Sequence, residues 1–174
     1  MARLFFALWP TAPARAALER LAADVALVSG GKAVAAGKIH LTLAFLGEVD
    51  EARREALRGV AAALRAQPFV LRLDRVGSFR RARVAWAGAS EAPAQLLALQ
   101  SSLEEALRAE GFDPEERAFH PHITLARKTR ERVPSASIEA IEYACDALAL
   151  VVSDMALGEY RTLESWPFGR DGGR

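Results

Sequence analysis

Two five-residue segments of the chain nearly repeat one another, His40-Leu41-Thr42-Leu43-Ala44 and His122-Ile123-Thr124-Leu125-Ala126. Successive side chains of a strand point to opposite faces, so each His shares a face with the Thr two residues on, and the apolar residues between and after them face away. Each segment therefore presents one imidazole and one hydroxyl above an apolar floor. Brought together, the two displays supply two proton-transfer groups and two hydroxyl donors around one cavity, a set suited to moving protons on and off a phosphoryl group. An imidazole titrates near neutrality, so one His can hold a proton while its twin lacks one.

A metal reading competes for the same residues. His120 and His122 lie two apart and His40 could supply a third nitrogen, as in three-histidine zinc sites. That arrangement would consume both acid-base candidates and leave the paired threonines without a role. No Ser, Cys or His stands at nucleophile-elbow spacing, and neither GxGxxG nor GxxxxGKS occurs, so acyl transfer and nucleoside-triphosphate hydrolysis have no support.

The elements that must carry these residues follow from the hydrophobic pattern. Arg3 to Trp9 reads as a buried strand, with Phe5, Phe6 and Trp9 taken as core rather than as base-stacking platforms. Ala17, Leu18, Leu21, Val25 and Val28 recur at helical spacing before the Ser29-Gly30-Gly31 stop. A strand over Ile39 to Leu46, a helix capped by Asp50 and running to about Arg65, and a hairpin from Phe69 to Gly88 with a basic tip come next. A third helix fits Pro93 to Glu110, followed by the second motif strand, an Arg-rich loop at Lys128 to Arg132, and strands over Ala147 to Met155 and Tyr160 to Trp166. The order, β-α-β-α-β-β-α-β-β-β, predicts an α+β protein with largely antiparallel sheets. The two histidines stand 82 residues apart, near half the chain, which suggests an internal duplication with one motif strand in each half.

With 174 residues, 51% apolar and 26% charged, the chain is expected to form one globular domain over 1–174, in two lobes. The only cysteine, Cys145, offers no internal disulfide and no zinc-finger spacing. The apolar stretch at Leu4 to Trp9 is too short for a signal peptide, no run of about 18 apolar residues exists, and the reading is cytoplasmic with no membrane partner. No heptad or long apolar stripe is present, and a monomer is expected. Twenty Arg against three Lys is read first as compositional bias, although Arg holds phosphate bidentately. Of the two basic runs, Arg127, Lys128, Arg130 and Arg132 rank above Arg72, Arg75, Arg80, Arg81 and Arg83, because they directly follow the His122 strand.

The segments His40 to Gly47 and Pro121 to Arg127, with similarity running from Arg3 to Pro167, resemble the 2H phosphoesterase superfamily, specifically the RNA 2′,3′-cyclic phosphodiesterases once named 2′-5′ RNA ligases. The resemblance implies a bilobal α+β fold, two pseudo-symmetric antiparallel sheets around a central groove, and chemistry without a metal or other cofactor. It implies His40 as proton donor to the departing 3′ oxygen, His122 as the base toward water, and Thr42 and Thr124 as donors to the non-bridging oxygens. The implied partner is RNA with a 2′,3′-cyclic phosphate end or a small cyclic nucleotide; an RNA-end-binding module without hydrolysis and 2′-5′ ligation are the alternatives. Arg127 matches the position that holds phosphate, yet it stands an odd five residues from His122, so a regular strand would aim it at the wrong face. It reaches the groove only if the strand ends or bulges there.

Overall fold

A computed structural model describes residues 2–114 and 118–169. Element order is β1 (Ala2–Leu8), α1 (Ala12–Ser29), β2 (Lys32–Ala33), a single 3-10 turn (Ala36–Lys38), β3 (Leu41–Val49), α2 (Glu51–Ala63), β4 (Phe69–Phe79), β5 (Val84–Gly88), α3 (Ala94–Ala109), β6 (His122–Arg127), β7 (Ala136–Cys145), β8 (Ala147–Asp154) and β9 (Glu159–Pro167). The expected α+β class with antiparallel pairing is the one observed. No helix of the described residues is long and apolar enough to cross a membrane.

The strands form one sheet in the order β7-β4-β5-β6-β3-β1-β8-β9, with β2 also on β6. Every pairing is antiparallel. Two four-stranded halves meet at β6 and β3, through one register pair, Leu41 with Ile123. The join is short because β2 takes the rest of that β6 edge, placing Lys32 opposite Arg127 and Ala33 opposite Ala126.

Helices cover one face and leave the other open. Ala14, Leu18, Ala22 and Val25 of α1, Leu57 and Val60 of α2, and Leu96, Leu99, Leu103 and Leu107 of α3 are buried in the main core with Phe6, Leu41 and Ile123. Alternation on β1 sends Leu4, Phe6 and Leu8 into that core, and Phe5 and Ala7 into a second cluster with Ala149 and Val151. Fully buried, Phe6 is a side chain whose truncation to Ala would cost about 3–5 kcal/mol. Helix α1 leaves the half that holds β1 and packs on β6 and β7 of the other half, while α3 packs on β3, so the helices interlock the halves.

Local signals explain the boundaries. The Asp50 carboxylate accepts from the Arg53 amide at 2.9 Å, a cap worth about 1 kcal/mol at the α2 N-terminus. Gly30 closes α1 in the left-handed region (φ 65°). Two strands, the two-residue β2 and the longer β7, have no counterpart among the expected elements. Strand β7 pairs with β4 at the edge of the sheet, and its apolar residues Ile138, Ile141 and Tyr143 alternate irregularly with Glu139 and Glu142 because only one side of it is partly buried.

Candidate active site

His40 lies one residue ahead of β3 and His122 opens β6, so both imidazoles stand where an edge of backbone is free to bond a side chain. Each does so in the same way. His40 Nδ1–H donates to the Lys38 carbonyl at 2.7 Å and His122 Nδ1–H to the His120 carbonyl at 2.7 Å, in both cases two residues back. A carbonyl only accepts, so the proton of each neutral ring is fixed on Nδ1 and the Nε2 lone pair is left for chemistry. The Thr42 hydroxyl donates to that lone pair on His40 at 2.7 Å.

His40, Thr42, His122, Thr124 and Arg127 all line one cavity of about 710 Å³ on the open face of the sheet. The antiparallel register that pairs Leu41 with Ile123 carries His40 toward Thr124 and Thr42 toward His122 on the opposite face. Leu41, Leu43, Ile123 and Leu125 are buried, as the alternation predicts.

A bulge resolves the parity of Arg127. On β5, Ala85 pairs with Ala126 and the next residue, Trp86, pairs with Thr124, so Leu125 has no register partner on β5. The extra residue turns the following side chains over, burying Ala126 and sending Arg127 into the cavity. Strand β3 repeats the device: Phe6 pairs with Ala44 and Ala7 with Thr42, skipping Leu43, the residue equivalent to Leu125. The residue corresponding to Arg127 is then Phe45, which is 61% exposed and lines the same cavity.

Aromatic rings wall in both imidazoles. His40 sits 4.9 Å from Phe5, 5.8 Å from Trp9 and 5.4 Å from Tyr160, and His122 meets Phe79 edge-on at 4.9 Å. Phe6 lies in the main core and Phe5 in the second cluster with Trp9 packed against it, as read, and the Phe5 and Trp9 rings also surround His40. The position of Phe5 on β1 next to β3 could have signalled this, since Phe5 alternates onto the face of Thr42. Phe45 and Tyr160 carried no sequence signal of their own.

Burial is the first cause that holds both imidazoles below the ordinary histidine pKa of 6.5, because it penalises the charged ring. The Lys38 and His120 carbonyls oppose this. The Arg127 guanidinium pushes both down further, helped by His122 at His40 and by His120 at His122.

Both basic runs reach the cavity, the later one through Arg127. Beyond Arg127, the later run turns toward α1: the Arg130 and Glu131 amides donate to the Ser29 carbonyl at 2.8 and 2.9 Å, and the Arg130 side chain lies over Gly30. From the earlier run, Arg80 and Arg81 line the cavity. The three-histidine metal arrangement is not formed, since no three His, Cys, Asp or Glu side chains group as a metal site among the described residues. Cys145 is buried and its thiol is pushed up to about 12, chiefly by that burial, which leaves it inert.

A profile of the 2′-5′ RNA ligase superfamily matches residues 9–163. The chain belongs to that superfamily. It is similar to the RNA 2′,3′-cyclic phosphodiesterase of Escherichia coli (strain K12), with 37% identity over 94% of this chain and 95% of the relative. Among solved structures, E. coli LigT complexed with 3′-AMP superposes with a TM-score of 0.89 at 35% identity, covering 97% of this chain and 99% of that one. The Thermus thermophilus protein TT0787 follows the same fold, with a TM-score of 0.82 at 30% identity over 97% of this chain and 99% of that chain.

Proposed function

We propose that this chain is an RNA 2′,3′-cyclic phosphodiesterase that opens the cyclic phosphate to a 2′-phosphate by two-histidine acid-base catalysis. The observation that carries the reading is the mirrored pair of imidazoles, each with Nδ1 fixed by a carbonyl and Nε2 facing a cavity shared with Arg127. The relatives' activity supports it.

In the reaction, His122 Nε2 takes a proton from water as the oxygen attacks phosphorus. The bond from phosphorus to the 3′ oxygen breaks, and protonated His40 gives its proton to the departing oxygen. Thr42 and Thr124 donate to the non-bridging oxygens, and Arg127 neutralises the charge that builds on them. A dianionic transition state in the cavity raises the pKa of His40, offsetting the burial that keeps it neutral when the site is empty. Phe45 provides a face for the terminal base.

Every group in this scheme is a side chain, so we assign no cofactor or metal to it. All of them come from one chain, which acts as a single domain with one HxT segment per half and as a monomer; the cytoplasm is the compartment assigned to it. The decisive experiment incubates the protein with cyclic-phosphate-terminated RNA and with a 2′,3′-cyclic mononucleotide, with and without chelator. A 2′-phosphate product formed in chelator is expected. Retention of RNA without product would make the chain an end-binding module, and joined RNA ends would make it a ligase.

A further inference from the structure

Next to Phe79, the ring against His122, the cavity is bordered by the tip of the β4–β5 hairpin, where Arg80 and Arg81 enter its lining. We propose that Arg80 and Arg81 hold the phosphodiester immediately 5′ of the reacting nucleotide, so that the site prefers the end of an RNA strand to a mononucleotide. This rests on the reading above and names the substrate class of that same site.

Two features separate these arginines from an ordinary solvated tip. The first is place: they share the cavity with His40, His122 and Arg127, and among the described residues neither is held by an ion pair. The cavity carboxylate of Glu104 is paired with Arg108 instead.

The second is bracing. Arg83 adopts a left-handed conformation (φ 54°) and donates through Nε to the Thr129 carbonyl at 3.0 Å, while the Thr129 amide donates to the Arg83 carbonyl at 3.1 Å. Lys128, beside Thr129, is also left-handed (φ 55°), and non-glycine residues persist in that region only where the surroundings enforce it. At the hairpin base, the Ser78 hydroxyl donates to the Val133 carbonyl at 3.0 Å and accepts from the Val133 amide at 2.7 Å. The tip is thus fastened to the segment that begins at Arg127, the group assigned to the reacting phosphate. The hairpin that carries Arg80 and Arg81 is therefore held beside that segment, which keeps both exposed side chains at the cavity, and a planar guanidinium suits bidentate phosphate binding. Arg83 acts as a positioning residue.

The test uses R80Q/R81Q, exposed positions outside the core, and R80K/R81K, which keeps the charge. Hydrolysis of a short cyclic-phosphate RNA is compared with that of a cyclic mononucleotide, and binding of the same RNA ending in a 2′-phosphate is followed by anisotropy against salt. The ratio of kcat/KM for RNA over mononucleotide should fall about tenfold or more in R80Q/R81Q. The log-log salt slope of RNA binding should shrink by about 0.7 for each phosphate that is no longer neutralised, and R80K/R81K should keep most of the slope. An unchanged ratio and slope in an active protein overturn the subsite and leave the reaction standing. No hydrolysis by the unmodified protein, with RNA binding still weakened in R80Q/R81Q, overturns the reaction and leaves the subsite.

Discussion

Leu41 and Ile123, the middle residues of the two HxT segments, are register partners at the one paired position between β3 and β6. Both are fully buried against the helices, so the seam of the sheet is anchored in the core while the His and Thr on either side of each stay on the open face. A pseudo-twofold relation through this pair accounts for the shared features of the halves: the carbonyl that fixes each imidazole, the bulge after each Thr, and the aromatic packed on each ring. It also shows where they differ, at Phe45 and Arg127. One half contributes an apolar face and the other a cation.

The threonines should differ in effect. Thr42 donates to His40 Nε2 in the free protein, whereas Thr124 has no such imidazole bond among the described residues. T42V and T124V should each lower kcat by about tenfold to a hundredfold through a lost donor to the phosphoryl oxygens. Only T42V should also raise the pKa of the neighbouring imidazole, because it removes a hydrogen bond to the neutral ring. Histidine titration by NMR distinguishes the two, and equal shifts in both variants would contradict the geometry.

Arg127 bears on both binding and protonation. R127Q should lower kcat/KM by at least tenfold, and it should move the acid limb of the pH profile upward, since a cation that depresses both imidazoles is gone. An acid limb that stays in place would mean that Arg127 does not face the rings.

The pH dependence has a definite sign. Both imidazoles sit below 6.5 in the free protein, so kcat/KM should peak on the acid side of 6.5, whereas the kcat optimum should lie higher because bound phosphate raises the pKa of the acid. Stability follows the same linkage. An unfolded histidine titrates at 6.5 and the folded ones lower, so the unfolded chain binds more protons below 6.5 and stability is lost as pH falls through that window. Urea midpoints between neutral and mildly acid pH, compared with those of H40A/H122A, should show a smaller acid loss in the variant.

Gly77 and Gly88 make room for Trp86, the ring behind Phe79. A Cβ on Gly77 would stand 2.5 Å from the indole and one on Gly88 3.0 Å from it. G77A should destabilise by about 1–3 kcal/mol and, by pushing Trp86 against Phe79 at 5.6 Å, displace the ring that supports His122. Denaturation with parallel assay should show kcat falling in protein that remains folded.

Much of this was legible from residue type and spacing. The repeated His, apolar, Thr, Leu, Ala pattern located both imidazoles, both hydroxyls and their buried floor, because strand alternation is a local rule. What escaped was set by neighbouring strands. The bulge that delivers Arg127 depends on how β5 pairs past Leu125, and the surround of His40 depends on β1 lying beside β3. Of the basic run after His122 only Arg127 lines the cavity, because Ser29, at the end of α1, draws Arg130 and Glu131 away, and Arg80 and Arg81 of the earlier run reach it through the β4–β5 hairpin. Strand β7 hid its identity as a partly exposed edge.

The central claim is that the imidazoles of His40 and His122 act together on one phosphorus. Single-turnover hydrolysis of a cyclic-phosphate RNA by H40A, H122A and H40A/H122A, each checked for folding, tests it most directly. Each single variant should lose about a hundredfold or more, and the double little beyond that, as expected for two groups serving one step. Turnover retained in either single variant, or losses that multiply in the double, would contradict it.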